Sequence, residues 1–449
     1  MRMEAQAIVL AAGPGMRMTT LTNKSPKSLL PLGTLPMIVY PLQMLEEAGF
    51  TEVTVVVSSG VENNFVKLAE QYGLKLKLEI AVVNTSDDPG TADSLRHIAS
   101  KIKHGVDDVV IVSSDLVTDV ALQSIMDQHR SRGAALTMLT AKLNTDFTKA
   151  ITPGPKTKHQ INSDIICQDG KSGQLMYAVV GGDYDDRVDL SSRVMKNSSS
   201  MSVSTSLLDA HLYVMKRWML DYILSDESPC LDMGSLRAEI IPHVISRQFT
   251  KPPSKEREER KLDINDVMEN DEYMELIKKY NTSVVDSPLH NSDELDSRIC
   301  YTYTHPGFCV RANTLNSYWE LNRKMHSIFN SVSSGTTWAL KHLSADVNEK
   351  AQVSDDSLVG AGSVVCEKTN ITSSVIGNHC RINSLTRISN SVLTSHVIIA
   401  QGCVIENSLI AADIEKKCTI KNCIVTDPNR IQENKNYSNE VLEASADYA

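Results

Sequence analysis

The chain reads as an α/β domain with a parallel sheet, followed by a parallel β-helix. Two observations predict this. From residue 7 to residue 143, short aliphatic runs alternate with helical stretches of about twelve residues, which is the pattern of βαβ units. After residue 350, near copies of one tetrapeptide return every 17 residues, a period that belongs to neither an α-helix nor an alternating strand. A third feature organises the first half. In AIVLAAGPGMRMTTLTNKSPK, Ala7 to Lys27, a strand empties into glycines and then meets two cations.

Composition sets the outer limits. A length of 449 residues suggests two or three domains. Hydrophobic content of 41% and charge of 22% are ordinary for a globular chain. No apolar run approaches the roughly 20 residues a bilayer demands, so no membrane span is expected. The N-terminus, MRMEAQAIVLAAG, reads as a first strand and not as a signal peptide. Nine cysteines without framework spacing fit free thiols in a reducing cytosol. Cys418 and Cys423 lack the CxxC spacing of a zinc site. A formal charge of −10 excludes a general nucleic-acid surface and leaves only a local basic patch open.

The elements follow in order. Ala7 to Ala12 is a buried strand, and Met37 to Ala48 a helix stopped by Gly49. Val53 to Val57 is β-branched and reads as the second strand; Val61 to Tyr72 is an amphipathic helix ending at Gly73. Leu76 to Val83, Val109 to Val112 and Ala134 to Leu143 are further strands, with helices at Thr91 to Lys103 and Val120 to Arg132 between them. Residues 144–200 read as strands and loops over the sheet edge. Leu207 to Ile223 and Ser235 to Val244 are a strand and helices that complete a domain over residues 1–250. Residues 251–300 hold 21 charged residues in 50, behind Pro252-Pro253; this is a solvated insertion or linker. Residues 301–345 return with a helix that closes the first domain.

In the last third, Ser357-Leu358-Val359-Gly360, Ser374-Val375-Ile376-Gly377, Ser391-Val392-Leu393-Thr394 and Ser408-Leu409-Ile410-Ala411 start 17 residues apart, and Cys423-Ile424-Val425-Thr426 follows after 15. Between them, Ile376, Ile382, Ile388, Leu393, Ile399, Ile405 and Ile410 recur every five or six residues. That suits three-sided coils over residues 346–427, each corner turning one aliphatic inward. Residues 428–449 read as a polar tail. Flat faces and open edges of such a stack usually become assembly surfaces. His379 and His396 fall at the same place on successive coils. They are either a general base for acyl transfer, for which no acyl-carrier signal appears, or a surface stack.

The chemistry gathers at strand ends. Gly13 and Gly15 let a backbone approach a ligand closely, and the N–H groups of such a turn cradle an anion. Arg17 as a fork and Lys27 as a point charge would then suit phosphate. The same residues also read as a tight turn with two surface or interface cations. In parallel sheets ligands sit beyond the carboxyl ends of the strands, so Gly90, Thr91 and Asp115 are expected around the same crevice.

Leu10-Ala11-Ala12-Gly13-Pro14-Gly15-Met16-Arg17 with Pro26-Lys27, followed by hexapeptide coils, resembles the sugar-phosphate nucleotidyltransferase family. The resemblance implies a nucleotidyltransferase-like (Rossmann-like) sheet domain and a left-handed β-helix. It also makes Gly90-Thr91-Ala92 a base-side motif and Asp115 a metal-binding aspartate, although Ser114 stands where glycine is usual. The family's chemistry, attack of a sugar phosphate on a nucleotide α-phosphate, needs cationic clamps and Mg²⁺ on carboxylates. The second metal aspartate of the family falls at Arg311, before Thr314, Tyr318, Glu320 and Asn322. A cation there repels the ion. The sugar-contacting E-K-P motif is not recognisable after Asp164 either.

A non-enzymatic branch of this architecture is similar through Gly90-Thr91-Ala92-Asp93-Ser94-Leu95-Arg96, Ser114 to Leu122 and Asp209-Ala210-His211-Leu212-Tyr213. It is the nucleotidyltransferase-like branch of the translation initiation factor 2B complex, which exchanges GDP for GTP on initiation factor 2. The resemblance implies a cytosolic supporting subunit with no catalytic residues, cofactor or metal of its own. Its implied partners are the catalytic epsilon subunit and the alpha, beta and delta subunits, with no direct nucleic acid. Epsilon carries a helical catalytic domain after its coils, for which this chain leaves no room. Gly13, Gly15, Arg17, Lys27, Gly90, Thr91 and Asp115 then form a vestigial phosphate or nucleotide site. The alternative is an active sugar-nucleotide pyrophosphorylase.

Overall fold

The computed structural model describes residues 5–22, 25–84, 90–103, 105–148, 151–155, 163–181, 190, 192–196, 200–249, 300–332, 341–426 and 431–443. The charged insertion lies outside them except for Cys300. The chain divides into two compact units, one of residues 1–13, 41–143 and 162–309, the other of residues 14–40, 144–161 and 310–449.

The first unit is built on seven strands: β1 Ala5–Leu10, β2 Glu52–Ser58, β3 Lys77–Val83, β4 Asp108–Ser113, β5 Leu136–Lys142, β6 Leu207–Lys216 and β7 Cys300–His305. Their order across the sheet is β7-β5-β6-β4-β1-β2-β3. β1, wholly buried, pairs parallel with β2 and β4, placing Val9 between Val55 and Val112. The helices α1 Thr91–His97, α2 Leu122–Ser131, α3 Arg217–Leu224 and α4 Ile241–Arg247 accompany it. Leu95, Leu220, Ile223, Val244 and Ile245 bury their side chains with Ile8, Val56, Ile111 and Tyr213 in one core. The predicted βαβ pattern is therefore realised, with one difference. β6 runs antiparallel to both its neighbours, because it returns from a three-stranded side sheet instead of from a crossover helix. The stretch expected as one helix from Val61 to Tyr72 forms two, Asn63–Val66 and Leu68–Gln71, broken where Lys67 leaves helical dihedrals (φ −103°, ψ 6°).

A charged cluster lies beneath this sheet. Asp108, 1% exposed, takes hydrogen bonds from Lys216 Nζ at 2.7 Å and Arg130 Nε at 2.9 Å. The fully buried His129 ring places Nδ1 2.8 Å from Thr137 Oγ1 and Nε2 3.6 Å from Asp108. Burial by itself would raise the Asp108 carboxyl, but the neighbouring His129 and Lys216 outweigh that and hold it below the ordinary carboxylate range. Burial pushes the His129 imidazole down, against the opposite pull of Asp108.

The second unit is organised by the coils. Two-residue strands such as Leu358–Val359, Val375–Ile376, Val392–Leu393 and Leu409–Ile410 stack in parallel register, and two further sheets close the three-sided, left-handed β-helix. The aliphatics predicted to point inward do so: Ile376, Ile382, Ile388, Leu393, Ile399, Ile405 and Ile410 share one core. The repeated serine has a structural cause. Ser374, Ser391 and Ser408 each accept the backbone N–H of the next coil's equivalent residue at 3.1–3.2 Å, and each donates to the carbonyl two residues before it.

A corner column runs beside this ladder. Asn390 donates to Asn407 at 2.7 Å, Asn407 to Asn422 at 2.7 Å, and Asn422 to Asn439. All four take left-handed dihedrals, φ 48° to 62°, which asparagine tolerates better than other non-glycine residues. Arg323, on helix α5 (Leu315–Val332), donates from Nε to Asn390 at 2.7 Å. The sequence reading assigned this helix to the first domain; in the structure it belongs to the second unit. There Tyr318 donates to the Pro31 carbonyl at 2.6 Å and Asn322 accepts from the Gly33 amide at 2.8 Å.

Two expectations for the coils change. The stack runs on past residue 427, since Asn436–Ser438 and Val441–Leu442 pair with the preceding coil where a polar tail was expected. Its residues are mainly polar because the strand flanks face outward, so composition disguised them. One flat face is also not free for partners. Leu358, Val375, Val392, Leu409 and Ile424 point away from the coil core yet are buried. Segments of the same unit lie against this face, with Gly33 close to Leu358 and Gly154 close to Ile424 and Val441. His379 and His396 stack on the surface, ring centroids 5.2 Å apart and 17° from parallel.

Candidate functional site

The residues singled out from the sequence fall in both units. In the first, Gly13 follows β1, whose end is fixed by the Ala11 amide on the Val56 carbonyl and the Ser58 hydroxyl on the Ala12 carbonyl, both at 2.8 Å. Gly13 is exposed, and a Cβ there would meet nothing within 4 Å. The fold itself does not demand that glycine.

Asp115 follows β4 and is 1% exposed. Ser113 donates to its Oδ1 at 2.7 Å, and the Ser114 amide donates to the Leu10 carbonyl at 3.0 Å, so Asp115 sits beside the end of β1. No group of three or more histidines, cysteines or acidic residues positioned for a metal occurs among the described residues.

Gly90 and Thr91 begin α1, and the chain itself occupies this turn. The Ala92 amide donates to the Gly234 carbonyl at 2.9 Å, and Thr91 Oγ1 accepts the Leu236 amide at 2.8 Å. Asp93 accepts the Gly90 amide at 3.1 Å and pairs with Arg96. A Cβ on Gly90 would stand 2.1 Å from the Gly234 oxygen. Here the glycine is required by a backbone–backbone contact.

In the second unit Gly15 takes φ 76°, and a Cβ would stand 2.7 Å from Thr22 Cγ2. The Met18 amide and the Thr22 hydroxyl donate to its carbonyl at 2.8 Å and 3.4 Å. Arg17 is exposed and forms no ion pair among the described residues. Lys27, half-buried, opens the short turn Lys27–Leu29. Arg311 ends the strand Cys309–Arg311, half-buried.

Sequence reasoning missed a second charged group in the first unit. A small cavity is lined by Met138, Ile166, Ala178, Val179 and Ile241, with Asp164, Asp209 and Arg237 as its charged members. Arg237 Nη2 donates to Asp164 Oδ2, and its Nε is 3.5 Å from Asp209 Oδ2. Asp164 also accepts the Gly181 amide at 3.0 Å, and Asp209 accepts the Tyr213 hydroxyl and the His211 amide, the latter at 2.8 Å. His211 holds a left-handed φ of 58°, where the pairing of β6 with β5 shifts register. The available signal was a pair of charged residues, Arg237 and Glu239, set among apolar ones in Leu236 to Ile241, LRAEII.

Residues 6–147 match the nucleotidyl transferase family, and residues 341–443 match the GlmU-like C-terminal hexapeptide family. The first domain is nucleotidyltransferase-like and the last a hexapeptide β-helix. The chain is 25% identical over 401 residues to translation initiation factor eIF2B subunit gamma of Dictyostelium discoideum, covering 84% of this chain and 88% of that protein. It is 27% identical over 378 residues to the gamma subunit of Schizosaccharomyces pombe, covering 82% and 74%. A shorter stretch of 142 residues is 30% identical to a probable mannose-1-phosphate guanylyltransferase of Oryza sativa, covering 31% of this chain and 38% of that one.

Proposed function

From a chain similar to eIF2B gamma subunits along most of its length, we propose a non-catalytic, supporting subunit of the guanine-nucleotide exchange complex of translation initiation. In this reading it works in the cytosol and pairs with epsilon, beside the alpha, beta and delta subunits. The complex drives GDP-to-GTP exchange on initiation factor 2. The observation that carries the reading is coverage. The gamma subunits of Dictyostelium discoideum and Schizosaccharomyces pombe align over 84% and 82% of the chain, while the guanylyltransferase aligns over 31%. Two features support the absence of chemistry. Arg311 stands where a metal carboxylate would be needed, and the Gly90-Thr91 turn spends its polar groups on Gly234 and Leu236. Gly13, Gly15, Arg17, Lys27, Gly90, Thr91 and Asp115 are then an inherited phosphate cradle.

Co-expression with epsilon, followed by pull-down and a GDP-release assay on initiation factor 2, tests the proposal. A stable complex that releases GDP several-fold faster than epsilon alone is the expected result. No complex, or a complex no faster than epsilon, would refute it.

The 142-residue match favours a second reading, an active sugar-phosphate nucleotidyltransferase. Purified chain with Mg²⁺, each nucleoside triphosphate and common sugar 1-phosphates should release no pyrophosphate above background. Turnover there would replace the first reading with the second.

A further inference from the structure

The cluster around Arg237 is not explained by a supporting role alone. Asp164 and Asp209 are 3% and 7% exposed, and carboxylates so far from water need a counter-charge and donors. Both receive backbone amides, at 3.0 Å from Gly181 and 2.8 Å from His211. Their cation is Arg237, delivered by the same short segment whose Gly234 carbonyl and Leu236 amide close the Gly90-Thr91 turn. That segment runs into a π-helical turn, Leu236–Ile240, a geometry rare in folded chains and frequent at functional sites.

We propose that Arg237 is the built-in counter-cation of this cavity's wall, an internal guanidinium that bridges Asp164 and Asp209 and latches residues 234–237 over the start of α1. The latch explains why the segment makes its two backbone bonds to α1 and its ion pairs to the cavity from four consecutive residues. It also fixes the cavity's chemistry. With Arg237 in place the two carboxylates of the wall are neutralised by the chain, and with Arg237 removed the cavity presents two buried carboxylates, which repel a phosphate and attract a planar cation. The inference concerns the chain by itself and does not depend on the exchange reading.

Chemical rescue of the full chain tests it. Arg237→Ala should lower the melting temperature by about 5–10 °C, because it strands two buried carboxylates. Millimolar methylguanidinium chloride should restore about half of that loss in Arg237→Ala and leave the wild type unmoved. On an Asp164→Asn/Asp209→Asn background, Arg237→Ala should cost little and show no rescue. If Arg237→Ala fails to fold, Arg237→Lys compared with Arg237→Met gives the same answer: the cationic variant should melt several degrees higher. An Arg237→Ala chain as stable as wild type, rescue equal in all backgrounds, or Lys and Met variants of equal stability would overturn the latch.

Discussion

Asp108 and His129 lie side by side under the first unit's sheet, and both are held away from their ordinary titration in the same sense. Asp108 is depressed because the neighbouring His129 and Lys216 together outweigh its burial, and His129 because burial disfavours the imidazolium. In each case the unfolded chain binds the proton more readily than the folded one. Stability therefore rises with pH through both ranges. It should fall on acidification first below the ordinary histidine value of about 6.5, then through the carboxylate range near about 4. Melting curves from about pH 8 to about pH 2 should show both steps. His129→Gln, which leaves a polar partner for Thr137, should flatten the first relative to wild type; an unchanged slope between pH 7 and pH 5.5 would contradict this. Gly90 offers a sharper single-site prediction. A Cβ 2.1 Å from the Gly234 oxygen has no room, so Gly90→Ala should cost about 1–3 kcal/mol by overpacking, read as lost thermal stability. Gly13→Ala, with open space around it, should be nearly silent. Equal costs at the two positions would show that the contact is misassigned.

Among the elements, the coil stack is held by ladders as much as by its aliphatic core. Ser391→Ala would leave the buried Ser408 amide without its acceptor, at about 1–3 kcal/mol. Asn407→Gly keeps the left-handed dihedral and removes only the amide links to Asn390 and Asn422, so it isolates the column. Chemical denaturation should place it about 1–2 kcal/mol below wild type, and a neutral result would make the column ornamental. The inward aliphatics and the 17-residue period were fully legible in the sequence, because one residue in each corner must face the core. The last coil was not. Asn436 to Ser438 carries no aliphatic, and Tyr437 takes the place that Ile405 and Ile420 hold above it. β6 was legible as a strand at the head of the stretch from Leu207 to Ile223, but not its end at Lys216 or its direction, because direction depends on which edge the chain returns to and not on its own residues. Asparagine at the corners read as ordinary polar sequence until the column showed that each side chain bonds the next coil.

For the whole molecule, the sequence displayed the glycine turn and hid what decides its use. Gly13, Gly15, Arg17 and Lys27 suggest a phosphate by residue type, and equally a tight turn with two surface cations. The partners that occupy Gly90-Thr91, and the ion pair of Arg237 with Asp164, join residues more than seventy positions apart. No local pattern carries such contacts. Arg311 was the exception, a single substitution readable because the residues after it keep their spacing. The coils show the same limit: their faces suggested assembly, yet one face is covered by the unit's own segments, leaving the other faces and the first unit for partners. The proposed supporting role without chemistry is tested most directly by GDP release from initiation factor 2 by the chain with epsilon. No release by this chain alone, and several-fold faster release by the pair than by epsilon, are the expected results. Release unchanged by adding the chain, or pyrophosphate formed from a sugar 1-phosphate by the chain alone, would contradict it.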